Sequence, residues 1–149
     1  MDKLIFTKEG LEKVKKEHQE LTLKRKEVLE SLKRARDMGD LSENGLYKAA
    51  KFELGNIDRT LRRLSYFLNK GVVAKKEKGK IGIGSKITVS DEGKIKKFLL
   101  VNEFESNPKE NKISLNSPLG KNLLKSNKGQ TLQIETPGGI KIYKVVSIS

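Results

Sequence analysis

The chain lacks cysteine and tryptophan, holds one histidine and three prolines in 149 residues, and draws only 5% of its residues from the aromatics. Without cysteine there is no disulfide and no thiolate metal site. The lone His18 excludes a histidine-cluster zinc centre, and excludes any Ser-His triad not built on that residue. No window approaches the ~20 consecutive apolar residues that cross a bilayer, and the start of the chain has no apolar signal core. The expectation is therefore a cytoplasmic protein with no membrane association. Hydrophobic residues make up 35% of the chain and charged residues 34%. That is little apolar matter for one thick core, so an elongated or two-part molecule is expected.

What is abundant is positive charge. Lys and Arg number 32 against 19 Asp and Glu, a formal net charge of +13. Such a balance suits work beside phosphate-rich partners or in an acidic groove, with plain solubility as the competing explanation. Both halves are basic, 17 against 12 in residues 1–70 and 15 against 7 in residues 71–149, so charge does not single out either half.

The periodicity changes once along the chain. Thr7 is placed as an N-cap, with Phe6 and Leu11 spaced as a hydrophobic staple. From there Leu11, Val14, His18, Leu21, Arg25, Val28, Leu32 and Ala35 recur in alternating steps of three and four, the seam of a coiled coil. Tyr47, Ala50, Leu54, Ile57, Leu61, Leu64 and Leu68 repeat the pattern. The two runs predict an antiparallel hairpin whose arms, Lys8 to Asp37 and Glu43 to Lys70, extend roughly 45 and 40 Å. His18 reads as a half-exposed seam residue. Gly45 and Gly55 each cost up to ~1 kcal/mol of helix propensity, so the seam must hold the second arm.

After Asn69-Lys70-Gly71 the pattern turns to short β-rich runs, which sets the expected domains at residues 1–71 and 72–149. Strands are expected at Val72–Ala74, Lys86–Ser90, Lys94–Asn102, Lys112–Leu115, Thr131–Glu135 and Ile140–Ile148. Asp91-Glu92-Gly93 is read as a three-residue hairpin turn. Ser117 and Pro118 open one short helix, with Leu119, Leu123 and Leu124 as its core side. The fold class is α+β: a helical hairpin followed by a small antiparallel sheet with one short helix.

Between the arms lies Gly39-Asp40-Leu41-Ser42-Glu43-Asn44. Gly39 can take positive φ at a helix C-terminus, and Asp40 with Glu43 has capping-box spacing for the second helix. That is the ordinary explanation of the two carboxylates. The functional one is that oxygen-rich side chains at the end of a ~40 Å rod help hold a hard cation such as Mg²⁺ inside another protein's cavity. Two carboxylates make an incomplete site, so a partner would supply the remaining ligands.

Arg36-Asp37-Met38-Gly39-Asp40-Leu41-Ser42-Glu43-Asn44, followed by Tyr47 and Ala49-Ala50, resembles the hairpin tip of the Gre family of bacterial transcript cleavage factors. Ile113-Ser114, Ser117-Pro118-Leu119-Gly120, Leu123-Leu124, Gly129 and Thr136-Pro137-Gly138-Gly139 with Tyr143 are similar to that family's C-terminal domain. The resemblance implies an FKBP-like C-terminal domain that docks on bacterial RNA polymerase. It also implies a coiled coil that enters the secondary channel, where the 3′ end of backtracked RNA is cleaved.

Carried over to this sequence, Asp40 and Glu43 would hold the second Mg²⁺ jointly with the polymerase and orient the attacking water. The factor would act as a monomer and would be no enzyme alone, prompting the polymerase's own cleavage activity. Ser42 and Asn44 would orient the tip, Arg36 and Lys51 would follow the RNA backbone, and Ser117, Gly120 and Lys121 are the exposed docking candidates. Gly45-Leu46 stands where the family string has Ala-Glu, which leaves the acidic pair intact and makes the tip less acidic. Two other readings stay open: a channel-binding relative that inhibits polymerase without cleavage, and prolyl isomerisation by the C-terminal half. The latter needs an aromatic-lined pocket for which only Phe98, Phe104 and Tyr143 are on offer.

Overall fold

The computed structural model describes residues 3–39, 44–77 and 79–149. They form two compact units, one of residues 11–71 and one that joins residues 3–10 to residues 72–149.

The first unit is the hairpin. Helix α1 spans Lys8–Arg36 and α2 spans Gly45–Lys70. Every seam residue of α1 named from the sequence is buried or half-buried, and so is every one of α2. Phe67, off that register, is buried as well. Each large side chain that is fully buried there, such as Ile57 or Leu64, contributes on the order of 1.5–3 kcal/mol.

The arms run antiparallel. His18 near the start of α1 meets Ser65 near the end of α2, with Nε2 and Oγ 3.1 Å apart. Lys24 pairs with Glu53, and Arg25 with Asp58, further along. Gly39 has φ of 119°, as the sequence required of the turn.

The cap of α2 corrects one expectation. It is Asn44, not Asp40: the Asn44 carboxamide oxygen accepts from Tyr47 N–H at 3.1 Å. The reason is that this side chain serves both arms, since its amide also donates to the Ala35 carbonyl at 2.5 Å. At the other end α2 stops without a left-handed residue. Gly71 has φ of −73° and the chain passes directly into a strand.

The second unit is built on a five-stranded sheet. Its strands are β3 (Lys86–Asp91), β4 (Lys94–Val101), β5 (Lys112–Ser114), β6 (Thr131–Thr136) and β7 (Gly139–Ile148). Their order is β5-β4-β3-β7-β6. The pairings β3–β4, β3–β7 and β6–β7 are antiparallel, but β4 and β5 run parallel. The sheet is thus mixed rather than wholly antiparallel, because the chain between β4 and β5 crosses through two 3-10 turns instead of a tight hairpin.

Asp91 pairs with Lys94, so the β3–β4 loop has two residues, not three, and Glu92 and Gly93 both have positive φ. That conformation matches the right-handed twist of the flanking strands. Alternate strand residues Ile87, Val89, Phe98, Leu100, Leu132, Ile134, Tyr143 and Val145 form the core with Ile113 and Leu123. Leu123 comes from α3 (Pro118–Leu124), whose N-cap is Ser117.

The leading residues are a strand. β1 (Leu4–Phe6) and β2 (Gly71–Val73) make a separate two-stranded sheet. Thr7 then starts α1 while enclosed by this unit. Its Oγ1 accepts from Gly10 N–H at 3.0 Å, and its N–H and Oγ1 donate to the two oxygens of Glu105 at 2.9 and 2.5 Å.

Candidate functional site

Three residues assigned to the tip, Asp40, Ser42 and Glu43, lie outside the described residues. Their described neighbours show how the tip is hung. On one side α1 ends with Lys33, Arg34 and Arg36 in its last turn, where cations oppose the negative end of the helix dipole. On the other side Asn44 joins the start of α2 to Ala35, so a single side chain closes the two arms against each other. Leu46, in place of the family's acidic residue, is 64% exposed. It meets solvent and fills no core position.

Arg36 and Lys51, the residues expected to follow RNA, are both exposed, as are Lys33, Arg34 and Lys48. Farther from the tip, the Arg25 to Asp58 hydrogen bond of 2.6 Å draws the Asp58 carboxyl below its ordinary range and raises the Arg25 guanidinium above its own. The pair bridges the two arms at a polar step of the seam. Among the described residues no group of three or more His, Cys, Asp or Glu converges to hold a metal ion.

The docking candidates divide. Lys121 is exposed, but Gly120 is buried, which corrects its assignment as a surface residue. The cause is a close helix-to-strand approach: a Cβ at Gly120 would stand 1.9 Å from the Ser114 carbonyl oxygen. Ser117 is half-buried and occupied by structure, since its Oγ accepts from Gly120 N–H at 3.0 Å and donates to Ser114 O at 2.7 Å. Leu124 departs from its core assignment and is exposed, while Leu119 is half-buried and Leu123 wholly buried.

Ser117, Pro118, Leu119, Ile134 and Tyr143 line a cleft of about 300 Å³. Of the three rings an isomerase site would need, Tyr143 is the one that reaches this cleft. Phe98 is buried against Tyr143 with ring centroids 5.8 Å apart, and Phe104 does not line it. Sequence reasoning missed Asn44 as the cap and Glu105 as the clamp on Thr7. The first was signalled by Asn three residues before Tyr47, but the second, 98 residues away from its partner, had no local signal.

A two-helix hairpin followed by a small mixed sheet in the same chain defines a two-part protein. Two family models divide the chain between them. The one described as transcription elongation factor, N-terminal, matches residues 4–73. The one described as transcription elongation factor, GreA/GreB, C-term, matches residues 76–149. The chain belongs to the GreA/GreB family of transcription elongation factors.

Among curated relatives, the transcription elongation factor GreA of Thermotoga neapolitana is 38% identical, with 100% of this chain and 99% of that protein covered. The GreA of Geobacillus kaustophilus is 36% identical over 96% of this chain and 94% of its own length. A solved structure, GreA factor homolog 1 of Thermus thermophilus, is 28% identical with 99% of each chain covered and a TM-score of 0.47. Among the described residues no helix is long and apolar enough to cross a membrane.

Proposed function

We propose that this chain docks on bacterial RNA polymerase through its sheet unit, passes the hairpin through the secondary channel, and stimulates the polymerase to cleave backtracked RNA. The observation that carries the reading is the string Gly39-Asp40-Leu41-Ser42-Glu43-Asn44 placed between two antiparallel arms joined along their seam. Two packed helices offer a rod rather than a cleft for chemistry. Such a rod delivers side chains to a site that another protein completes.

Asp40 and Glu43 fit Mg²⁺ as part of a donor set, because hard cations take carboxylate oxygens together with phosphate and water. When bound between the tip and the polymerase, the cation would supply charge stabilisation to the attacking and leaving oxygens of a phosphoryl displacement. The chain's own residues do the rest. Asp40 and Glu43 hold negative charge at the tip and orient the attacking water, with Ser42 and Asn44 fixing the turn. Asn44 is suited to that task because its side chain already spans the two arms. Arg36 and Lys51 attract the RNA backbone, and Lys121 with the rim around Ser117 offers the docking face. The factor works as a monomer in the cytoplasm.

The test is addition of the protein to halted, backtracked bacterial polymerase. Release of a 3′ RNA fragment, followed by renewed extension, is the expected outcome. Slowed extension without any fragment would replace this reading by channel-blocking inhibition.

A further inference from the structure

Two aliphatic side chains of the second unit are left facing solvent. Ile5 in β1 is 44% exposed, and Leu124, the last residue of α3, is 38% exposed. Distant in sequence, they line the same cleft of about 480 Å³, together with half-buried Ile81, Ile83 and Leu115. That volume lies within the range of small-molecule sites. Every described residue that lines the cleft belongs to the second unit, so the site is built without the hairpin.

The backbone around the cleft is already engaged. Ile5 O accepts from Asn102 Nδ2 at 2.6 Å, and Phe6 O accepts from Ala74 N–H at 2.8 Å. Gly82 N–H donates to Ser85 Oγ and Gly82 O accepts from Ser85 N–H, both at 3.0 Å. An extended peptide needs free main-chain groups of this kind to add as a strand. No aromatic ring lines the cleft, so a nucleobase has nothing to stack on. What the cleft offers is aliphatic contact and charge.

The charge is positive and sits at the rim. Lys75, Lys76 and Lys80 are exposed there, and the one acidic lining residue among the described ones, Glu77, is held by Lys80 with Nζ and Oε2 2.9 Å apart. Lys75 and Lys76 pair with no carboxylate among the described residues. Exposed lysines alone would be an ordinary solvated edge, and exposed aliphatics alone would be ordinary surface. Set side by side, they complement a ligand with a hydrocarbon body and an anionic head, whose tail leaves water while its head stays at the rim.

We propose that this cleft binds an aliphatic carboxylate of the medium-chain fatty-acid class. The tail lies against Ile5, Ile81, Ile83, Leu115 and Leu124, and the carboxylate lies beside Lys75 and Lys76. Binding requires neither the polymerase nor a metal.

Isothermal titration of the full chain with decanoate, below its micelle concentration, tests the proposal. One saturable equivalent is expected. Octanoate should bind roughly tenfold more weakly, the loss from burying two fewer methylenes. Decyltrimethylammonium, with the same tail and the opposite charge, should bind at least tenfold more weakly than decanoate. Lys75→Glu with Lys76→Glu should reverse that order, so that the cation binds better than the anion. Leu124→Glu should weaken decanoate binding at least tenfold by placing a carboxylate at the mouth.

The three substituted side chains are exposed, so the fold should persist, and unchanged circular dichroism and melting temperature verify it. Absence of saturable decanoate binding would overturn the proposal, as would equal wild-type affinity for decanoate and decyltrimethylammonium. Wild-type decanoate affinity in either variant would overturn the placement of the ligand. Binding of a helical leucine–glutamate peptide that Leu124→Glu abolishes, with no binding of decanoate, would replace the small ligand by a protein partner.

Discussion

Arg25 Nε donates to Asp58 Oδ1 at 2.6 Å across the seam of the hairpin, joining residues 33 positions apart. The pair replaces an apolar layer at a coiled-coil core position, where a polar contact fixes register more than it adds stability. It also ties hairpin stability to pH. The hydrogen bond from Arg25 lowers the Asp58 carboxyl below its usual 3.8; partial burial opposes this, and the Arg25 and Arg62 charges add to the lowering. A carboxyl with a depressed value in the folded chain gives its full contribution above the ordinary carboxylate range. That contribution is lost as pH falls through the folded value. Acid should therefore weaken the hairpin in that window, and Asp58→Asn should lower the melting temperature at neutral pH while flattening the acid limb. Helical circular dichroism followed against pH checks both.

Leu64 is 2% exposed in the C-terminal part of the α2 seam. Leu64→Ala should destabilise the hairpin by about 2–4 kcal/mol, because the seam of two helices collapses only partly around the void. Leu23, exposed on α1, serves as the control and should tolerate Ala within about 0.5 kcal/mol. Thermal unfolding of the two variants measures the difference.

Gly120→Ala should cost about 1–3 kcal/mol by overpacking, since the added methyl meets a backbone oxygen that has no room to yield. Ser117→Ala should cost about 1 kcal/mol through loss of the helix cap. Lys121→Ala should leave stability unchanged and weaken only polymerase affinity, an outcome that differential scanning calorimetry beside a binding titration resolves.

Glu105 predicts an unusual response at Gly10. Gly→Ala inside a helix ordinarily stabilises, but here the new Cβ would stand 1.7 Å from Glu105 Oε1 and push the carboxylate off Thr7. Gly10→Ala and Glu105→Ala should therefore both expose the first turn of α1. Faster amide hydrogen exchange at Thr7 and Gly10 in both variants is the expected result.

The seam of the hairpin was legible in the sequence because three-four spacing is a local property. His18 fell where that spacing put it, half-buried against Ser65. The features that escaped depend on distant partners. Leu4–Phe6 reads as a short lead until β2, more than sixty residues later, pairs with it. Gly120 looks like an exposed residue of the short helix until Ser114 is placed beneath it. Asn44 was hidden by a better-known capping pattern one turn earlier. Of the candidate site, the tip string was legible as residues, while the side chains that hold it came from the structure.

The central claim is that the tip's two carboxylates act inside another protein's active centre. The most direct measurement is RNA cleavage by halted bacterial polymerase at saturating factor, comparing wild type with Asp40→Ala plus Glu43→Ala. Removing the groups that help hold the cation stabilising the developing charge should cost on the order of 100-fold, so the variant should bind the polymerase with wild-type affinity yet cleave at least that much more slowly. Cleavage at the wild-type rate by a bound double variant would contradict the account.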